Sequence, residues 1–326
     1  MTGPLEPTRP TGPARPARPY EEEDRVWARH GRLTGSVLIV GAGAVGGFLA
    51  EELARIGFSP IRLVDRDVLE TENLVRHPLG APQLGQPKAP ALAEAIRRAF
   101  PPCEATGLHA DFTELPDEVQ RALVREADVV VAATDSAACQ RRVNGLALAV
   151  GRPAAYPAVW VDPRIRDAEV GEILWVLPDR RTPCYECAVA FRRGTADADA
   201  ARGARVDIQL VSLATAQVVT ALAHPADDRA GILDPQRNAI YLHGLTPTSP
   251  GVRATFPALG LSSRNVRVPF PPSLCPACHT SRSTAPGASA EDAPSDGPGR
   301  LTPWVAVAVL VSVVMTLLVT AAFAHA

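Results

Sequence analysis

Lysine is nearly absent from this chain of 326 residues: its 33 basic side chains comprise 32 arginines and a single lysine, Lys88. A composition biased toward Ala, Arg, Pro and Gly accounts for the shortage, so the one position that keeps an ammonium stands out. A compact charge on a flexible stem follows a phosphate as it moves, whereas a planar guanidinium grips it as a fork. The plainer reading is one surviving surface lysine, and only its neighbours decide between the two. A basic excess is missing too. The formal charge of -2 argues against a nucleic-acid role. Residues 1–24 hold no apolar run that could serve as a secretory signal; rich in Pro and Arg and ending in Tyr20-Glu21-Glu22-Glu23-Asp24, they are expected to be disordered. No internal repeat is apparent.

What is present starts at Ser36-Val37-Leu38-Ile39-Val40, a short apolar run that reads as a buried parallel strand. It ends in Gly41-Ala42-Gly43-Ala44-Val45-Gly46-Gly47 and is followed by a helical stretch from Phe48 to Ile56. Strand, G-x-G-x-x-G and helix in succession give a tight turn, a close approach of backbone to phosphate, and free N–H groups at a helix start for an anion. A second strand, Pro60 to Val64, ends at Asp65, which is placed to accept from ribose hydroxyls. A dinucleotide oxidoreductase would show the same features. Asn73, Arg76 and Lys88 (in Gly85-Gln86-Pro87-Lys88) go beyond what a dehydrogenase needs: an amide, a guanidinium and an ammonium in one cleft suit charge at the phosphates of ATP. A further buried strand, Ala127 to Asp135, delivers Asp135 to the carboxyl edge of the sheet, where a Mg²⁺-linked carboxylate belongs; Asp128, at the strand start, is expected to cap or face solvent.

Together these motifs resemble those of the ThiF/MoeB family, adenylyltransferases that activate ubiquitin-like proteins. The resemblance covers the glycine loop with Gly41, Gly43 and Gly46, the element Asp65-Arg66-Asp67-Val68, N-x-x-R at Asn73 and Arg76, G-Q-x-K ending at Lys88, T-D at Thr134 and Asp135, and Pro183-Cys184-Tyr185-Glu186-Cys187. It implies that Asp65 binds the ribose, with Asp67 in the same nucleotide site, that Asn73, Arg76 and Lys88 bind the triphosphate, and that Asp135 handles Mg²⁺. It also implies a homodimer, with Arg25 or Arg29 as candidates for an arginine lent to the partner's ATP site, although the local match is poor and a solvated helix face is the favoured explanation of both.

Cys184-x-x-Cys187 and Cys275-Pro-Ala-Cys278 form two knuckles, each able to put two thiolates on one tetrahedral metal. Redox pairs and disulfides compete with that reading, the latter poorly suited to a cytosolic ATP-using chain. The resemblance favours structural zinc tying the later segment back to the middle of the domain. Cys139 follows Asp135 by one helical turn, where a helix start would lower its pKa, although a free cysteine is more often a small buried hydrophobe; Cys103 is the sixth cysteine. Many family members carry a transfer cysteine after the first knuckle. Here Ala188 to Arg205 contains none.

Trp304 to Ala324 is a run of 21 residues without a charge. At helical rise it spans roughly 30 Å, a bilayer core. It reads as a C-terminal transmembrane anchor, with Arg300 before it placing the catalytic domain in the cytoplasm. The expected organisation is therefore a disordered segment over 1–24, an adenylyltransferase domain over 25–279, a flexible linker over 280–300 and an anchor over 301–326. The fold class is α/β, a Rossmann-like and mostly parallel sheet. Ala239 to Leu242 is expected to begin an antiparallel extension, Val206 to Leu222 to form a long apolar helix, and Gly151 to Val176, with Trp160 and Trp175, to supply strands and part of a docking surface. The expected reaction is adenylation of the C-terminal carboxylate of a ubiquitin-like or other small protein, using ATP, Mg²⁺ and structural Zn²⁺. A non-catalytic membrane-tethered scaffold and a Rossmann-type NAD(P) oxidoreductase are the alternatives.

Overall fold

Four consecutive aliphatic residues make the central strand, β1 (Val37–Val40), each at most 2% exposed. A strand with both faces covered needs no alternation, which is why it is apolar at every position. The computed structural model describes residues 34–162, 168–179, 182–191, 205–228, 231–243, 262–271 and 273–279. All of them lie within the first of two units, Met1–Arg282 and Ser283–Ala326.

Strands β2 (Ile61–Asp65), β3 (Ala105–His109), β4 (Val129–Ala132) and β5 (Ala154–Asp162) join β1 in parallel, and β6 (Ala168–Val176), β7 (Ala239–His243) and β8 (Ser262–Val266) continue the sheet antiparallel. The order is β3-β2-β1-β4-β5-β6-β7-β8. Chain order reverses between β1 and β4, so the carboxyl ends of β1, β2 and β4 open around one crevice, the place where ligands bind in open α/β sheets. The antiparallel part begins at β6, one strand earlier than the sequence suggested.

Helices α1 (Ala44–Ile56), α2 (Lys88–Ala99), α3 (Asp117–Arg125), α4 (Ala137–Val150), α5 (Tyr185–Phe191) and α6 (Arg205–Ala223) cover the two faces. Val37 and Ile39 face a core shared with Leu49, Leu53, Leu92 and Val211, while Leu38 and Val40 face one shared with Phe112, Val143 and the four knuckle cysteines. Helix α1 starts at Ala44 rather than Phe48, and α2 starts at Lys88. Pro87, with φ fixed at -56°, stands at the α2 N-cap and puts Lys88 in the first turn. Helix α6 is long and apolar enough to cross a membrane, but it packs on α1, β5 and β6 with Val211 and Val218 fully buried, as a core helix does. Asp128 is exposed, as expected, and its carboxylate also accepts from the Ser36 N–H and hydroxyl, stapling β4 to the start of β1. The expected disordered segment over 1–24, the candidates Arg25 and Arg29, the transfer-loop residues 192–204, the linker and the apolar run over 304–324 all lie outside the described residues.

Candidate functional site

The site is built first by glycine. Gly41 has φ +101°, a left-handed conformation, and a Cβ there would stand 2.5 Å from the Ala133 carbonyl oxygen. A Cβ on Gly46 would stand 2.0 Å from the Gly41 oxygen, so the loop folds back on itself only with hydrogen at that position. Gly43, the N-cap of α1, meets nothing within 4 Å and no side chain caps the helix. Its start is open to the crevice, presenting backbone N–H groups to an anion.

The crevice is a cleft of about 640 Å³ lined by Gly41, Gly43, Asp65, Asp67, Asn73, Arg76, Lys88, Thr134 and Asp135, among others. It thus gathers the nucleotide residues expected from sequence, except that Gly46 works from behind the loop. The Asp65 carboxylate accepts from the Ala42 N–H at 2.6 Å and the Asp67 N–H at 2.7 Å, joining the ends of β1 and β2. Burial raises its pKa, and those two donors oppose the rise. Lys88 is only 7% exposed, and its ammonium donates to Asp67 at 3.0 Å. Backbone bonds from Lys88 N–H to Asp67 O, from Leu69 N–H to Gln86 O and from Gly85 N–H to Leu69 O clip the two motifs together. Asp67 is therefore the holder of the lysine, a pairing the sequence reading did not contain. Asn73 closes the turn that carries Arg76: its side-chain oxygen accepts from the Glu70 N–H, and its carbonyl from the N–H groups of Arg76 and His77. Asp135 is exposed at the cleft and forms no ion pair among the described residues, leaving a hard oxygen donor of the type Mg²⁺ takes.

His77 was missed. It is 2% exposed, its Nδ1 accepts from the Leu79 N–H, and Nε2 therefore carries the proton and donates to the Ala42 carbonyl at 2.8 Å. Burial lowers its pKa, which keeps that tautomer neutral and the glycine loop held. Its own carbonyl accepts from Arg205, whose guanidinium lies 4.6 Å from the Phe48 ring centre. The only signal for it was its place directly after Arg76.

Cys139 lines the cleft, yet burial pushes its thiol up to about 12; the helix start does not activate it, and it serves as a core side chain. Cys103 is also buried and pushed up to about 11. The four knuckle cysteines do converge. Cys184 and Cys187 lie 3.8 Å apart, Cys184 and Cys275 3.7 Å, Cys187 and Cys278 3.8 Å, and all four sulfurs fall within 4.8 Å of one another. A zinc ion with Zn–S bonds of about 2.3 Å sets tetrahedral S–S edges of about 3.8 Å, so the donor set fits. Hydrogen bonding between the two holds the Cys184 thiol below its usual value and pushes that of Cys187 up, so thiolates this close need a cation to ionise together.

The family model for the ThiF family matches residues 32–323. The chain is 33% identical over 168 residues to the sulfur carrier protein ThiS adenylyltransferase of Bacillus subtilis, covering 50% of this chain and 47% of the relative. It is 39% identical over 119 residues to the mouse adenylyltransferase and sulfurtransferase MOCS3, covering 36% and 25%. With the ATP-dependent ubiquitin transferase-like protein Cap2 of Enterobacter hormaechei it shares 39% over 98 residues, covering 30% and 16%. The matched stretches span less than half the length of these relatives. The crystal structure of E. coli MccB with ATP has the same fold, with a TM-score of 0.54 at 17% identity over 75% of this chain and 66% of that one. A match across nearly the whole chain, on a sheet whose switch-point cleft holds the glycine loop, Asp65 and Lys88, makes this protein a member of the ThiF family.

Proposed function

We propose that the protein is an adenylyltransferase that joins AMP to the C-terminal carboxylate of a small partner protein. The observation that carries this reading is the single cleft holding an open helix start, a ribose acceptor, Arg76, Lys88 and an exposed Asp135. A carboxylate oxygen of the partner attacks the α-phosphorus of ATP, the bond from that phosphorus to the bridging oxygen breaks, and pyrophosphate leaves with its electron pair. No proton need move. Arg76 and Lys88 offset negative charge growing on the phosphates, the α1 N–H groups hold the nucleotide, and Asp65 fixes the ribose. Mg²⁺ would be held from Asp135 and would neutralise the leaving pyrophosphate. Zinc would be held by Cys184, Cys187, Cys275 and Cys278 and would supply a closed structural cross-link. The ThiS adenylyltransferase and MOCS3 names among the relatives support the chemistry, and we take a ubiquitin-like protein with a Gly-Gly-like end as the partner class. We place the working form as a homodimer.

Partner-dependent exchange of labelled pyrophosphate into ATP tests the reading, with the small proteins that copurify with the full chain as acceptors. Exchange only in their presence is the expected result; nicotinamide cofactor binding without ATP binding would return the chain to the oxidoreductases. A non-catalytic scaffold is kept as a second reading by the transfer segment, which lacks a cysteine from Ala188 to Arg205; ATP binding with no exchange would favour it.

The uncharged run from Trp304 to Ala324 supports a single-pass C-terminal anchor with the catalytic domain in the cytoplasm. Deleting residues 301–326 should move the protein from a carbonate-resistant membrane pellet to the soluble fraction with its exchange rate unchanged. Arg in place of Val311 and Val314 should act likewise, at about 2.5–3.5 kcal/mol per central charge. A truncated chain that still pellets, or a full chain washed off by carbonate, would remove the anchor.

A further inference from the structure

Tyr185 takes part in two sites at once. In sequence it lies inside the first knuckle, between Cys184 and Cys187, and it also lines the nucleotide cleft. Its hydroxyl donates to Gln140 Oε1 at 2.5 Å, and Gln140 Nε2 donates to the Thr134 carbonyl at 2.9 Å. Thr134 is the residue before Asp135. Tyr185 is 5% and Gln140 9% exposed, so each amide end of Gln140 would cost free energy if left without a partner. Both ends are used, and one is spent on the turn that presents Asp135.

That turn is stiff enough to transmit the placement. The Ser136 N–H donates to Thr134 Oγ1 at 3.2 Å, and Ser136 Oγ caps α4 by accepting from the Cys139 N–H at 3.2 Å. Tyr185 is itself held without its hydroxyl: its N–H donates to Asn144 Oδ1 at 3.1 Å, and its ring lies 5.0 Å from that of Tyr156. A second tie between the same helices, the Arg141–Glu186 pair at 2.9 Å, is partly exposed and contributes little.

We infer that Tyr185 and Gln140 are positioning residues that fix the Thr134–Asp135 turn against the cysteine knuckle, so that cation use at the nucleotide site depends on how the knuckle is seated. The inference rests on the adenylation reading only in taking Asp135 as the Mg²⁺ carboxylate; it needs no acceptor protein to be tested. The measurement is ATP binding to the full chain with and without Mg²⁺, for the wild type, Tyr185→Phe, Gln140→Met and the double variant. Tyr185→Phe keeps the ring packing and Gln140→Met keeps the volume. Each should lose about tenfold of the tightening that Mg²⁺ gives, as for a lost outer partner of a metal ligand, and far more of that gain than of metal-free ATP affinity. The double variant should lose no more than Gln140→Met alone, since the two act in series.

A purely structural role would lower the melting temperature or weaken ATP binding equally with and without Mg²⁺, and either pattern, with the Mg²⁺ gain intact, would overturn the inference. So would a wild type whose ATP binding ignores Mg²⁺, for nothing at Asp135 would then need positioning. If the Mg²⁺ gain falls in the variants while no carboxylate partner ever supports exchange, the positioning role stands and the adenylation reading fails.

Discussion

Lys88→Ala is expected to lower partner-dependent ATP–pyrophosphate exchange by about 10²–10³-fold, the loss typical of one buried charge-stabilising donor, or roughly 2.7–4 kcal/mol. The size follows from where the ammonium sits. Its side chain is 9% exposed, its head is held 3.0 Å from Asp67, and its stem starts the first turn of α2 beside the open glycine loop. An ammonium in so dry a place acts on a phosphate with little screening. The fold should tolerate the change, because Asp67 is 55% exposed and water can take over the carboxylate; losing that pair costs on the order of 1 kcal/mol or less. Lys88→Arg should also be impaired, since a fork held by one carboxylate no longer presents a point charge. Exchange at the wild-type rate in Lys88→Ala, measured with the same acceptor and a matched melting temperature, would remove Lys88 from the phosphate site. Asp67→Asn offers a second check. It keeps the lysine but loosens its hold, so a smaller loss than for Lys88→Ala is expected.

The parts of this site that the sequence disclosed are those determined over a few residues. A buried strand must be apolar throughout, a loop that turns on itself must carry glycine at Gly41 and Gly46, and an acid at a strand end must reach the carboxyl edge. Each of these is a local requirement with a local signature. What escaped is made by contacts between segments far apart in the chain. His77 holds the glycine loop through Ala42, 35 residues earlier, and Tyr185 reaches Gln140 across 45. Neither residue type is unusual enough to mark itself. The Asp67–Lys88 pair escaped for another reason: both residues were seen, each as a ligand of nucleotide, and only the antiparallel bridge between Val68 and Pro87 shows that one serves the other. Cys139 shows the reverse case: a helix start offered a reactive thiol, but the favoured reading, a small buried hydrophobe, is the one its place among Phe112 and Val143 bears out. The long helix α6 was legible as a helix, but its burial came from the sheet it covers and not from its own sequence.

The purified domain should carry one zinc per chain, and Cys275→Ser should release it and lower the melting temperature by on the order of 10 °C. The argument begins with the loop that the metal would close. Cys184 and Cys275 are 91 residues apart yet their sulfurs lie 3.7 Å from each other, and both are almost fully buried. A cross-link over a loop of that length removes roughly 4–5 kcal/mol of chain entropy from the unfolded state in the loop-closure account. Serine keeps the volume but offers a hard, protonated oxygen in place of a soft thiolate, so the fourth bond is lost while packing is largely kept. The remaining cysteines would then return to thiols, because three sulfurs at these distances hold less negative charge without the cation. The segment around Val268, Cys275 and Cys278 is seated in the core at this cluster, so it should become the first site of limited proteolysis. A serine variant at Cys103, outside the cluster, should keep its metal and serves as the control. Metal analysis that finds no zinc in protein prepared without chelators would overturn the assignment, as would a Cys275→Ser chain that keeps both its metal and its melting temperature.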